Sequence, residues 1–210
     1  MEVMRFFLSL VLIFSLSACS IWKNNSVSIN IKKHNYKVIA KYPKLQSPDN
    51  QRLLKQFIMK QITKFQASYG TDDEDYRHKL KINYRIFNSK TLKSIVFRIR
   101  VFEERNIENL FFKTFVFNKD TEKQVLISDI LDSPLKLMVT SQLLRNQLKR
   151  KIPKEYYDHD RVLRATMPKA RNFKNFYYNK DDLHIIFSPF ELADFEAGYF
   201  DLVVDFTKEN

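Results

Sequence analysis

Between Leu80 and Phe117 apolar side chains return at every second position in three successive runs, and a period of two commits this stretch to a sheet with one buried face. Leu80, Ile82, Tyr84 and Ile86 alternate with Lys81, Asn83 and Arg85. Ile95, Phe97, Ile99 and Val101 alternate with Val96, Arg98 and Arg100. Phe111, Phe115 and Phe117 share a face with Lys113, while Phe112 and Val116 lie opposite. A sheet of this kind needs a cover, and the preceding segment supplies one. After the helix-start residues Ser47-Pro48-Asp49, the residues Leu54, Ile58, Ile62, Phe65 and Tyr69 recur at helical spacing up to Gly70. The expectation is an antiparallel meander roofed by a helix over 49–69.

The flanks extend this plan. Val27, Ile29 and Ile31, then Tyr36, Val38, Ala40 and Tyr42, read as a strand pair broken near His34-Asn35. Asn118-Lys119-Asp120 turns the chain into Val125-Leu126-Ile127, with Ser128-Asp129 placed to cap a short helical turn. Ser133-Pro134 starts a second helix, with Leu135, Met138, Val139, Gln142 and Leu143 at helical spacing, continuing through Leu144 and Leu148. Arg145, Lys149, Arg150 and Lys151 load its end with cations, where the helix dipole favours them. Residues 153–172 are basic and irregular, with a short helix near 156–165. A hairpin turning at Asn179–Asp182 and a strand over Tyr199–Phe206 complete the chain. The fold expected is α+β, an antiparallel sheet covered by amphipathic helices, in two mutually packed halves spanning 27–132 and 133–210.

Composition removes many chemistries. With two glycines, Gly70 and Gly198, no phosphate-cradling loop can be built, and a single cysteine rules out an internal disulfide or a cysteine-rich zinc site. The four histidines His34, His78, His159 and His184 stand in no metal-binding spacing, and no serine sits in a nucleophile elbow. The acidic run Thr71–Asp75 lacks the spacing and central glycine of a calcium loop. Glu191, Asp194 and Glu196 are the one carboxylate set that could serve as a glycosidase pair, although their spacing does not require it. The expectation is a protein that is not an enzyme, with no cofactor and no metal.

The amino terminus carries an address. Residues 6–16, FFLSLVLIFSL, form an apolar run that as a helix spans about 16 Å, too short for a bilayer core and right for a signal peptide. Leu16-Ser17-Ala18-Cys19 resembles the lipobox of bacterial lipoproteins, in which the cysteine thiol is acylated before cleavage. This gives a signal peptide over 1–18, Cys19 as the lipidated first residue and a polar tether to residue 26. The expected location is the cell envelope, anchored to membrane through acyl chains on Cys19. Because Ser20 and not Asp follows the cysteine, the outer membrane facing the periplasm is the expected site in a Gram-negative cell.

Charge is uneven. The formal net charge is +12, yet segment 133–180 holds twelve Lys/Arg against Glu155, Asp158 and Asp160, while 181–210 holds eight acids against Lys208. Export argues against nucleic acid as a partner. It leaves anionic lipid head groups, wall polymers, the chain's own acidic segment, or simple solvation for the basic face.

The stretch Phe176-Tyr177-Tyr178-Asn179-Lys180-Asp181-Asp182-Leu183, continuing through Phe187-Ser188-Pro189-Phe190-Glu191-Leu192-Ala193 to Ala197-Gly198, resembles the extracytoplasmic carboxy-terminal domain shared by RsiV-type anti-sigma factors and PdaC-type peptidoglycan deacetylases. Lys41-Tyr42-Pro43, Ser94-Ile95-Val96-Phe97 and Leu126-Ile127-Ser128-Asp129 resemble the companion half of the same module. The resemblance implies a non-catalytic α+β binding module. Its ligand would be a cell-wall polymer such as peptidoglycan, another anionic envelope polymer, or a wall-active protein such as lysozyme, and the alternatives are a wall-glycan hydrolase using the acids near Glu191 or an accessory subunit of an envelope complex. The loop residues Pro189, Phe190, Glu191, Asp194 and Glu196 are the expected ligand contacts, and Gly198 is expected to supply a backbone turn into the last strand.

Overall fold

Alternation at this period becomes strands in the computed structural model, which describes residues 25–70, 78–103 and 108–206. The leader, Cys19 and the acidic run at 71–75 lie outside the described residues. β1 (Ser26–Lys32), β2 (Tyr36–Pro43), β3 (His78–Asn88), β4 (Leu92–Phe102), β5 (Glu108–Asn118) and β6 (Gln124–Val125) form one sheet in chain order. The meander β3–β4–β5 is antiparallel as expected, but β2 pairs with β3 in parallel, Tyr36 opposite His78 and Ala40 opposite Ile82. The large sheet is therefore mixed rather than wholly antiparallel. The cause is α1 (Pro48–Tyr69): a helical crossover returns the chain to the end from which β2 began, and only a parallel partner can follow.

Local chemistry sets the limits of α1. The Ser47 hydroxyl accepts the Asn50 N–H at 3.4 Å, Pro48 occupies the first turn, and the Gly70 N–H closes on the Gln66 carbonyl at 2.7 Å. Its buried face, Leu54, Ile58, Ile62 and Phe65, packs on Val38, Ala40, Leu80, Ile82, Phe97 and Phe115. Rings dominate this core, with Phe57 centred 5.4 Å from Phe97 and 5.3 Å from Phe115.

The second half contains α3 (Pro134–Lys151), α4 (His159–Ala165) and an antiparallel sheet of β7 (Phe176–Asn179), β8 (Asp182–Phe187) and β9 (Phe200–Val204), and the preceding α2 (Ile127–Ile130) packs with it. Its core joins Ile127, Leu131, Leu144, Leu148, Phe173, Ile185 and Leu202. Two local expectations change. α2 is capped at Leu126 and not at Ser128-Asp129, and Asp129, inside the turn, reaches back to accept the Leu126 N–H at 2.8 Å. Leu144 and Leu148 at the end of the expected α3 stripe are buried, but Leu135 and Met138 at its start face solvent, and Thr140 and Ser141 are buried as well. Ser141 can take the inner face because it is bonded there, donating to the Thr166 carbonyl, and the Thr166 hydroxyl accepts from Arg145 Nε at 2.9 Å, whereas the buried Thr140 hydroxyl makes no hydrogen bond.

The halves dock through the outer face of the large sheet. Val96, Tyr177 and Ile186 form a small apolar cluster with Phe87 and Phe112 beside them. The fully buried Ser94 hydroxyl accepts the Tyr178 N–H at 3.0 Å, joining β4 to β7. Ser94→Ala leaves that N–H without a partner, and urea unfolding should show a loss of about 1–3 kcal/mol. A loss near zero would mean that this seam does not hold the halves together.

Candidate functional site

Where the core face of the large sheet runs out past α1, the second half leans over it and leaves an open cleft of about 690 Å³. α1 contributes Phe57, Gln61, Lys64 and Ser68, the sheet Ile99, Val101, Phe111 and Lys113, and the second half Lys174, Asn175 and the segment Ser188–Glu191. Pro189, Phe190 and Glu191, expected from the sequence to meet a ligand, all line it.

That segment is a tight turn. The Glu191 N–H donates to the Ser188 carbonyl at 3.1 Å, with Pro189 second in the turn and Phe190 third, at φ +68°. Proline followed by a positive φ is the pattern of a type II turn, whose third position favours glycine because a Cβ is strained there. Here a bulky ring takes that conformation and remains 56% exposed, leaning on Phe195 at 5.4 Å. Ser188 anchors the turn: its buried hydroxyl accepts the Phe112 N–H at 3.1 Å, and its own N–H donates to Glu191 Oε2 at 2.5 Å.

The polar groups of the cleft are unevenly satisfied. Loss of hydration raises the pKa of the Glu191 carboxyl, against the lowering effects of the Ser188 N–H and the nearby Lys174 ammonium. Lys113 is pushed the other way, below its ordinary value, by desolvation and by Lys174, and its ammonium lies 5.3 Å from the Phe115 ring centre. Glu103 Oε1 is engaged by the Tyr69 hydroxyl at 2.8 Å and by Asn109 Nδ2 at 2.9 Å. Asn175 is buried, yet its Oδ1 accepts no hydrogen bond. A buried amide oxygen left in this state carries an unmet desolvation cost that a ligand N–H would relieve.

The Glu191 shift has a measurable consequence. A carboxyl whose pKa is higher folded than unfolded stabilises the fold below its unfolded value, near 4.5, and that stabilisation disappears as pH rises through the folded value. Glu191→Gln should therefore gain in unfolding midpoint relative to the wild type as pH climbs above 4.5, and parallel pH profiles for the two proteins would contradict the assignment.

The remaining expected contacts do not join the cleft. Asp194 Oδ1 pairs with Arg161 Nη1 at 3.0 Å, so this acid is held by the basic segment of its own chain. Glu196 is exposed in the short turn Phe195–Ala197. Gly198 adopts φ +75°, ψ −150°, a region essentially closed to other residues, as the chain enters β9. Asn175, Lys113, Lys174 and the α1 residues were not foreseen as site residues. Lys113 and the α1 residues sit on elements, and Lys174 and Asn175 on the short link before β7, whose neighbours are known only after folding. Among the described residues, no three His, Cys, Asp or Glu side chains group closely enough to hold a metal ion, and no helix is long and apolar enough to cross a membrane.

Residues 116–207, from the end of β5 through β9 and including the Ser188–Glu191 turn, match the family described as protein of unknown function DUF3298. Over 176 residues the chain is 28% identical to the peptidoglycan-N-acetylmuramic acid deacetylase PdaC of Bacillus subtilis strain 168, covering 80% of this chain and 36% of PdaC. The chain thus spans only about a third of that relative's length. Two solved structures share the fold. A DUF3298 family member from Bacteroides fragilis NCTC 9343 superposes with a TM-score of 0.56 at 10% identity, covering 87% of this chain and 89% of its own. A DUF3298 family protein from Pseudomonas aeruginosa PAO1 gives 0.51 at 8% identity, covering 87% and 90%. The similarity to PdaC-type proteins expected from the aromatic and acidic motifs is met, and residues 116–207 match the DUF3298 family.

Proposed function

We propose that this protein is a non-catalytic binding module of the bacterial cell envelope, held there through acyl chains on Cys19, and that the cleft takes an N-acetylated glycan of the wall. The observation that carries the reading is Phe190, kept exposed at positive φ on the lip of the cleft. Strain of this kind persists where the surroundings over-determine it, and it collects at ligand-contacting positions. An exposed ring beside a polar, partly apolar cleft is suited to the flat apolar face of a pyranose. The Asn175 Oδ1 acceptor fits an acetamido N–H, and Gln61, Lys64 and Lys174 can serve sugar hydroxyls and carboxylates. The relationship to a protein named for its action on peptidoglycan supports the same class of ligand.

The test is co-sedimentation of the full chain with purified insoluble peptidoglycan, competed by soluble N-acetylated glycan fragments. Saturable retention that the fragments displace is expected. Failure to sediment, with retention on immobilised lysozyme instead, would move the ligand from polymer to protein. Release of soluble muropeptides by the wild type, lost in Glu191→Gln, would replace binding by hydrolysis.

A further inference from the structure

Across the large sheet from the cleft, a second cavity of about 220 Å³ opens between β3–β4 and the second half, and three arginines line it: Arg85, Arg98 and Arg100. They occupy the outward positions of the same alternation that sends Ile82, Phe97 and Ile99 into the core. The ladder places Lys81 directly opposite Arg100, and like charges facing one another across an antiparallel pair oppose its formation. Acids do not relieve this concentration of charge. Neither Arg85 nor Arg98 has an ion-pair partner among the described residues, and Arg100 Nε meets Glu108 Oε1 only at 3.7 Å. That Nε atom is also buried and makes no hydrogen bond. The one carboxylate in the cavity wall, Asp201, is engaged elsewhere, its two oxygens taken by the Tyr177 hydroxyl at 2.7 Å and by His184 Nδ1 at 3.0 Å.

We propose that this cavity is a binding site for a phosphate ester, held by the guanidinium groups of Arg85, Arg98 and Arg100. A carboxylate offers two oxygens on one edge, which a single bidentate guanidinium satisfies. A phosphate monoester presents three terminal oxygens and close to two negative charges, enough to engage several forks at once. Tyr177 and Tyr199 stand in the cavity wall, with rings that limit solvent around the anion. The proposal is independent of the glycan reading, since Arg85 and Arg98 do not line the cleft.

Calorimetric titration of the full chain with inorganic phosphate and with glycerol 3-phosphate tests it, alongside flotation with phosphatidylcholine vesicles with and without phosphatidic acid. Saturable binding that weakens with salt is expected, and R85Q/R98Q should weaken it at least about tenfold. R98K, which keeps the charge and loses the fork, should fall between the two. Both residues are exposed, so the variants should fold, and the surface pair K136Q/K149Q removes equal charge elsewhere. Binding of the small phosphates alone assigns a soluble or polymer-borne ester, whereas a phosphatidic-acid-dependent gain in vesicle binding that is lost in R85Q/R98Q assigns a lipid headgroup. Absence of saturable binding to every probe overturns the proposal, and so does equal weakening by K136Q/K149Q.

Discussion

Phe190→Gly should leave the protein as stable as the wild type, within about 1 kcal/mol, while weakening its retention on peptidoglycan by roughly thirtyfold. The two halves of this expectation have separate causes. A bulky residue at φ +68° stores strain of about 1–3 kcal/mol, which glycine releases. Against this stand the added freedom of glycine in the unfolded chain, about 0.5–1 kcal/mol, and the lost contact with Phe195, about 0.5–1.5 kcal/mol. The terms nearly cancel. Binding has no such compensation, because an aromatic anchor at a contact surface commonly carries about 2 kcal/mol or more. Chemical denaturation and co-sedimentation measure the two quantities separately. A variant that binds normally would show that the strained ring serves the fold and not the ligand.

The largest stability effect should come from Phe97→Ala, at about 3–5 kcal/mol. Phe97 is completely buried under α1, with ring centres at 5.4 Å to Phe57, 6.0 Å to Phe115 and 6.2 Å to Tyr84. Removing it takes a ring from the middle of an aromatic cluster whose other members are pinned by a sheet and a helix, so the void cannot close. Single domains are stable by about 5–15 kcal/mol, and a loss of this size approaches unfolding at physiological temperature. Phe97→Leu should cost much less, since volume is largely kept. Because Phe57 also lines the cleft, the alanine variant should lose ligand affinity along with stability, whereas the leucine variant should keep most of both. Equal costs for the two variants would mean that the cluster repacks freely and that the ring is no keystone of the core.

What could be read in advance followed the range of the interactions involved. Alternation at Leu80–Ile86 and Ile95–Val101 and the stripe on α1 are local and repeated, so strands, helix and α+β class were legible. The parallel β2–β3 ladder was not, because it depends on where a 22-residue helix delivers the chain. On α3 the hydrophobic count pointed to Leu135 and Met138, but Ser141 is inside because Thr166, 25 residues away, supplies its partner. Such a partner leaves no local mark. The site divided in the same way. Pro189, Phe190 and Glu191 were expected through the resemblance of the loop that carries them to a known module, whereas Asp194, expected on the same ground, was claimed by Arg161, and Asn175 became notable only when burial left its Oδ1 unbonded. The arginine cavity was visible only as polar alternation until the second half covered one end of that face.

The most direct test of the cleft as the binding site is amide chemical-shift mapping of the full chain during titration with soluble N-acetylated muropeptide fragments. The account predicts shifts concentrated on Ser188–Glu191, Asn175, Lys113 and the Phe57–Ser68 face of α1, with Arg85 and Arg98 unmoved. Shifts confined to the opposite face of the sheet, or absent at concentrations that saturate retention on peptidoglycan, would contradict it.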